Sequence, residues 1–228
     1  MLISVHIQKT AGTSFRHSLE EYYGDKLLTR YGEGPFQLSD LERNKKAITA
    51  NLLNTEKNYK GIDCIHGHFL PVQYLLLKHF KQLTFLTWFR NPVDRLLSDY
   101  YHVTTNYKKW SNPFHYKIVE EKWSIEKFSL CERMQNFYGQ ILWGFPLEYF
   151  DFIGITEHYD EDLNYFSKKY LTAKIQSQRL NVNKESGGVY NISESLRKKI
   201  ENYHYEDMEL YKRALDMRES RFKNDAVT

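Results

Sequence analysis

Cysteine is nearly absent from this 228-residue chain: only Cys64 and Cys131 occur. Two thiols cannot build the disulfide framework that staples small secreted domains. No Cys/His cluster has zinc-ligand spacing, so no structural metal is expected. No apolar run approaches the ~18–20 residues that cross a bilayer. The opening Met1-Leu2-Ile3-Ser4-Val5 is too short and too uncharged for a secretory leader. These absences predict a cytoplasmic protein with no membrane span. A dense Lys/Arg block is also missing. The net charge of +3 fits an anionic ligand without calling for nucleic acid. What the chain does have is 41% hydrophobic content, with 18 Tyr and 14 Phe, enough for a packed core. No repeat, low-complexity segment or linker divides it. The expectation is one domain over residues 1–228, with a frayed tail after about residue 218.

Short apolar runs alternate with helical patterns. Leu2–Ile7, Ile62–Ile65, Leu83–Phe89 and Phe152–Thr156 read as strands. Helices are expected over Thr13–Tyr23, Ser39–Leu53, Pro71–His79 and from Pro92 to about Thr105. Leu41, Ile48 and Leu52 are expected to line the buried face of the second of these. Ser124–Trp143 reads as mostly helical, Tyr159–Tyr170 as an amphipathic helix and Ser193–Met217 as a long helix capped by Ser193. Asn106–Pro113 and Gln176–Tyr190 read as loops. The alternation predicts an α/β fold with a mostly parallel central sheet flanked by helices. In such sheets ligands bind beyond the carboxyl ends of strands.

Two segments at strand ends carry phosphate-binding chemistry. After the first strand, Gln8-Lys9-Thr10-Ala11-Gly12-Thr13-Ser14 turns into a helix. A helix N-terminus offers unpaired N–H groups to an anion. Gly12 permits close backbone approach, Lys9 adds a full charge, and Thr10, Thr13 and Ser14 add hydroxyls. This is not the Walker arrangement, in which the lysine follows the glycines. A glycine-containing turn with an incidental lysine is the alternative reading. The second segment follows the strand Leu83–Phe89. Arg90 stands at its end and Ser98 eight residues on, inside the helix opened by Pro92. Guanidinium and hydroxyl together suit a phosphate monoester. Arg95 adds charge or pairs with Asp94 or Asp99 on the helix surface. A capped helix with a surface ion network is the alternative here.

Taken together, the two segments resemble the sulfotransferases that use 3′-phosphoadenosine 5′-phosphosulfate (PAPS). Lys9-Thr10-Ala11-Gly12-Thr13-Ser14-Phe15 resembles that family's 5′-phosphosulfate loop, and Arg90 with Ser98 its 3′-phosphate motif. Within the family, His6–Phe15 is similar to the loop of heparan sulfate 6-O-sulfotransferases. His66-Gly67-His68 resembles the histidine motif of heparan sulfate and uronyl 2-O-sulfotransferases. Weaker likenesses lie at Asn136–Gln140, Phe152–Glu157 and Arg179–Lys184.

The resemblance implies a P-loop-like nucleotide-binding sulfotransferase fold. It implies sulfuryl transfer from PAPS to a carbohydrate hydroxyl, leaving adenosine 3′,5′-bisphosphate and needing no metal. His68 is then the general base, since an imidazole near its usual pKa of ~6.5 is mostly neutral at pH 7. His66 orients it or binds acceptor. Lys9 stabilises the bridging oxygen. Lys9 through Ser14, with Ala11 and Gly12 contributing backbone, hold the 5′ end of the nucleotide. Lys108, Lys109 and Trp110 form an acceptor rim, and Asn136 and Gln140 hydrogen-bond sugar hydroxyls. The chain is shorter than the animal enzymes and lacks their cysteines, which favours a glycan acceptor other than heparan sulfate. A nucleotide-dependent kinase and a non-catalytic nucleotide-binding module are the competing readings. Neither the partners beyond a glycan acceptor nor the oligomeric state is legible.

Overall fold

The computed structural model describes residues 1–32, 38–106, 112–173, 175 and 191–225. Five strands, β1 (Leu2–Val5), β2 (Leu27–Arg30), β3 (Cys64–Gly67), β4 (Thr84–Phe89) and β5 (Phe152–Ile155), form one sheet in the order β2-β3-β1-β4-β5. Every pairing is parallel. The expected α/β architecture is therefore present.

Side-chain alternation along the strands builds a core on each face. Ile3 and Val5 of β1, Phe85 and Phe89 of β4, and Ile153 and Ile155 of β5 belong to one cluster. Leu2, Leu86, Trp88 and Phe152 belong to the other, with Phe15, Leu19, Leu163 and Phe166 from the covering helices. Those helices are α1 (Gly12–Tyr23) and α7 (Tyr159–Tyr170). Strands covered on both faces need apolar residues at nearly every position, which is why LISV and TFLTWF read as continuous runs. A third cluster joins α3 (Pro92–Asn106), α4 (Pro113–Glu120), α5 (Ile125–Ser129) and α8 (Glu194–Tyr203).

Several expectations need correction. β2 and α4 were not expected at all. The segment after Pro71 makes two 3₁₀ turns, Pro71–Tyr74 and Leu76–His79, instead of one helix. Ser124–Trp143 breaks into α5, a 3₁₀ turn at Glu132–Met134, and α6 (Phe137–Ile141). The terminal helix is two, α8 and α9 (Tyr205–Asp225), with His204 between them. Its end is anchored: Arg218 and Arg221 both bond the buried Asp162 carboxylate of α7, at 2.8 and 2.9 Å.

α2 (Asp40–Leu53) begins at Ser39 with a capping box to Glu42, as its sequence predicts. Its buried face is not the expected one. Leu41 and Leu52 are 78% and 68% exposed, whereas Arg43 and Ala47 are buried. Ala47 packs with Leu70 and Val72. Arg43 lies inward with its guanidinium on Asp40, 3.0 Å away, and on Gln140, 3.2 Å away.

Candidate active site

The chain crosses from one side of β1 to the other between β3 and β4, so the sheet's switch point lies at the carboxyl ends of three adjacent strands. The loop after β1, the residue after β3 and the residue after β4 meet there.

The β1 loop is an unusual turn. Lys9 and Ala11 both hold left-handed backbone, at φ 68° and 65°, a conformation that costs a non-glycine residue ~1–2 kcal/mol. Thr10, between them, is fully buried and donates its hydroxyl to the Ile7 carbonyl at 2.8 Å. Its proton thus closes the turn rather than pointing to a ligand. α1 starts at Gly12 with no side-chain cap. Ser14 is buried, and Thr13 is exposed at the rim. Gly12 is obligatory for space: a Cβ there would lie 1.8 Å from His6 Nε2.

His68 follows Gly67 of β3. Its amide donates to the Arg30 carbonyl at 2.9 Å, and a Cβ at Gly67 would stand 2.0 Å from that same oxygen. Glycine is what lets β2 and β3 converge here. The His68 ring is 2.7 Å from the His6 carbonyl through Nδ1. A carbonyl can only accept, so Nδ1 carries the proton and Nε2 the lone pair. Burial lowers the His68 pKa, keeping the ring neutral, against a smaller opposing effect of that hydrogen bond.

His66 lies deeper in the same cluster. It is 1% exposed, and its Nδ1 lies 2.7 Å from Ser4 Oγ. Burial pulls its pKa down to about 3. It belongs to the packing beneath the loop, where His6 stacks on it at 5.2 Å between centroids. His6 also lies 4.4 Å from the His68 ring, and its Nδ1 is 2.9 Å from the Tyr31 hydroxyl. Tyr31 then meets His68 edge-on at 4.8 Å. His6 and Tyr31 are thus site residues that the sequence reading did not single out. For Tyr31 the usable signal was Leu27-Leu28-Thr29, a short β-prone run between Gly24 and Gly32.

Arg90 joins the two phosphate-type segments. Its guanidinium donates to the Lys9 carbonyl at 3.4 Å. The helix behind it, α3, already has a cap: Asn91 Oδ1 accepts from the amides of Val93 and Asp94, at 3.0 and 3.3 Å. Anion binding at this second segment therefore rests on side chains, whereas α1 offers its N-terminus. Ser98 lies half-buried two turns into α3. Asp94 pairs with Arg197 of α8 at 2.9 Å.

Arg95 is not on the surface as expected. It is 1% exposed, stacks over Phe137 at 4.2 Å and sits 4.0 Å from Asp99. Its Nε and Nη1 make no hydrogen bond among the described residues. Burial lowers the Lys9 pKa; Asp99 opposes this, and Arg90 and Arg95 add to it. Three cations against one carboxylate leave the loop positive, which suits a phosphate.

The acceptor-side residues are divided. Lys108, Lys109 and Trp110 lie outside the described residues, as does Arg179–Lys184. Gln140 is engaged within the protein, accepting from Arg43 at 3.2 Å and donating to the Gln135 carbonyl at 2.7 Å. Asn136 has left-handed backbone at the start of α6, and its buried Oδ1 has no partner among the described residues. No three His, Cys, Asp or Glu side chains come together as a metal-binding group among the described residues. Nor is any helix there long and apolar enough to cross a membrane.

No protein-family model matches the chain, and no curated protein does. Among solved structures, a sulfotransferase from Alicyclobacillus acidocaldarius aligns with it at 14% identity and a TM-score of 0.42, over 91% of this chain and 92% of that one. Mouse sulfotransferase SULT7A1, complexed with PAP, aligns at 12% identity and a TM-score of 0.36, over 88% of this chain and 62% of that one. At these values the fold assignment rests on the sheet's own strand order and register.

Proposed function

We propose that this chain is a sulfotransferase that moves a sulfuryl group from PAPS to a hydroxyl of a carbohydrate acceptor, with His68 as general base. One observation carries the reading. The residues from His6 to Lys9 receive His68 Nδ1 on one side, at 2.7 Å, and the Arg90 guanidinium on the other, at 3.4 Å. A base and a phosphate-type clamp thus flank a single anion-binding turn.

The residues present fit such a donor. Gly12 lets the His6 ring pack directly against the turn, where a Cβ would stand 1.8 Å from its Nε2. The uncapped N-terminus of α1 and the Lys9 ammonium supply charge for a 5′-phosphate. The donor, when bound, supplies the sulfuryl group and a phosphate leaving group. His68 Nε2 accepts the proton of the acceptor hydroxyl. Lys9 neutralises charge growing on the leaving oxygen, where positioned charges lower a barrier most. Thr13 and Ser14 add hydroxyls to the 5′ end, and Arg90 with Ser98 holds the 3′-phosphate. Thr10 keeps the turn closed. His66 supports the His6 ring from below instead of touching acceptor. A nucleotide-dependent kinase would call for the Walker order of glycine before lysine, which this turn lacks, since Lys9 precedes Gly12.

Calorimetric titration tests the donor site without knowledge of the acceptor. Adenosine 3′,5′-bisphosphate is expected to bind in the micromolar range without added metal, and adenosine 5′-phosphate much more weakly. Equal affinity for the two refutes the paired-phosphate site.

A further inference from the structure

We infer that Tyr138 is the positioning residue that aims Arg90, and that its hydroxyl thereby sets selectivity for a nucleotide carrying a 3′-phosphate. The inference rests on the sulfotransferase reading above. Tyr138 lies in α6 and is fully buried. Its hydroxyl serves both ends of one residue: it accepts from the Arg90 amide at 3.1 Å and donates to the Arg90 carbonyl. Arg90 is the first residue past β4, where main-chain groups leave the sheet ladder and must find partners elsewhere. Holding the peptide planes on both sides of the Arg90 Cα fixes the direction of its side chain. That direction carries the guanidinium to the Lys9 carbonyl and the anion-binding turn.

Tyr138 is itself held from two sides. Its ring lies 4.5 Å from that of Phe89, the last residue of β4. Its amide donates to Asp207 Oδ1 of α9 at 2.9 Å. The Gly139 amide reaches the same oxygen at 3.4 Å. Burial raises the phenol's pKa well above its ordinary value, so the hydroxyl keeps its proton as a donor. The C-terminal helix therefore reaches the candidate 3′-phosphate clamp through two contacts, Asp207 to Tyr138 and Tyr138 to Arg90. A hydroxyl that only satisfied two buried polar groups would contribute to stability and leave ligand choice unaffected.

The variant Tyr138→Phe keeps the ring and removes the hydroxyl. Affinities for adenosine 3′,5′-bisphosphate and adenosine 5′-phosphate are measured by calorimetry in wild type, in this variant and in Tyr74→Phe. Tyr74 is a control, a fully buried tyrosine whose hydroxyl accepts from Arg30 at 3.0 Å. Tyr138→Phe is expected to bind the bisphosphate roughly tenfold more weakly, the worth of one or two lost hydrogen bonds. Its affinity for the 5′-phosphate stays at the wild-type level. Tyr74→Phe keeps the wild-type ratio whatever its melting temperature. A full wild-type ratio in Tyr138→Phe, or an equal loss for both nucleotides, overturns the inference. A wild type that does not distinguish the two nucleotides overturns the sulfotransferase reading instead. Should Tyr138→Phe not fold, hydrogen exchange of the wild-type Arg90 amide decides. The amide is expected to be protected before nucleotide is added and to slow further with the bisphosphate only. Free exchange at that amide overturns the inference.

Discussion

Replacing Gly12 by alanine puts a methyl group into the one place where the β1 loop and the histidine cluster touch. The new Cβ would stand 1.8 Å from His6 Nε2, 1.9 Å from Cδ2 and 2.4 Å from Cε1. Carbon contacts are comfortable near ~3.5–4.0 Å, so the ring must withdraw by about 2 Å. It has little room to do so. Tyr31 holds Nδ1 at 2.9 Å, and the His66 and His68 rings lie 5.2 and 4.4 Å away. Overpacking of this kind costs ~1–3 kcal/mol, offset by up to ~1 kcal/mol from the better helix propensity of alanine. A net loss of about 1–2 kcal/mol corresponds to a melting temperature lower by roughly 2–8 °C in a chain of this size. Urea unfolding followed by tryptophan fluorescence reads the loss as a shifted midpoint at constant slope. His6→Ala removes the clashing ring, so the double variant is expected to be more stable than the sum of the single changes predicts, by ~1 kcal/mol or more. A Gly12→Ala protein as stable as wild type, or a strictly additive pair, refutes the packing described for this turn.

Lys9→Ala is expected to lower turnover by roughly a hundredfold or more, the scale of losing one positioned charge-stabilising group, with a smaller loss of bisphosphate affinity by calorimetry. Arg90→Ala is expected to do the reverse, weakening the bisphosphate by roughly ten- to a hundredfold while sparing adenosine 5′-phosphate. Acid should destabilise the fold early. Burial holds His66 at about 3 and His204 at about 4, below the ~6.5 of an exposed imidazole. The unfolded chain therefore binds more protons than the folded one below pH 6.5. Each of these histidines then removes ~1.4 kcal/mol per pH unit as pH falls toward its folded value. Urea midpoints at pH 7.5, 6.0 and 5.0 check this, and a midpoint independent of pH over that range contradicts it.

The strands that form the buried middle of the sheet were legible because burial on both faces leaves a continuous apolar run, as in Thr84–Phe89. β2 was not, because an edge strand with three half-buried residues and an exposed Thr29 carries no such pattern. Tyr31, which follows it, went unread for the same reason. Helix starts marked by Ser39 and Ser193 were predicted from their caps, and both serines bond the amide three residues on. Which face a helix buries depends on its tertiary partner. On α2 the small Ala47 and the inward-lying Arg43 fit against Leu70 and Gln73, leaving leucines outside.

At the candidate site, the loop and Arg90 were named from residue type and spacing, and His68 from its place at a strand end and the resemblance of His66-Gly67-His68. The division of labour needed coordinates. His66 and His68 are two residues apart and share a face, but His66 lies deeper with its Nδ1 on Ser4, and only His68, past the end of β3, lies with its Nδ1 on the His6 carbonyl. Thr10 reads as a phosphate donor until its hydroxyl is found on Ile7. Tyr138 and Arg90 lie 48 residues apart, and nothing in composition or periodicity joins them.

The most direct test of the account follows a labelled sulfuryl group from PAPS into a panel of mono- and oligosaccharides, for wild type and for His68→Ala in parallel. The account predicts label in at least one sugar with wild type. It predicts none with His68→Ala, although that variant still binds adenosine 3′,5′-bisphosphate with wild-type affinity. Normal transfer by His68→Ala contradicts the assigned base. A wild type that binds the bisphosphate yet labels no sugar contradicts the carbohydrate acceptor.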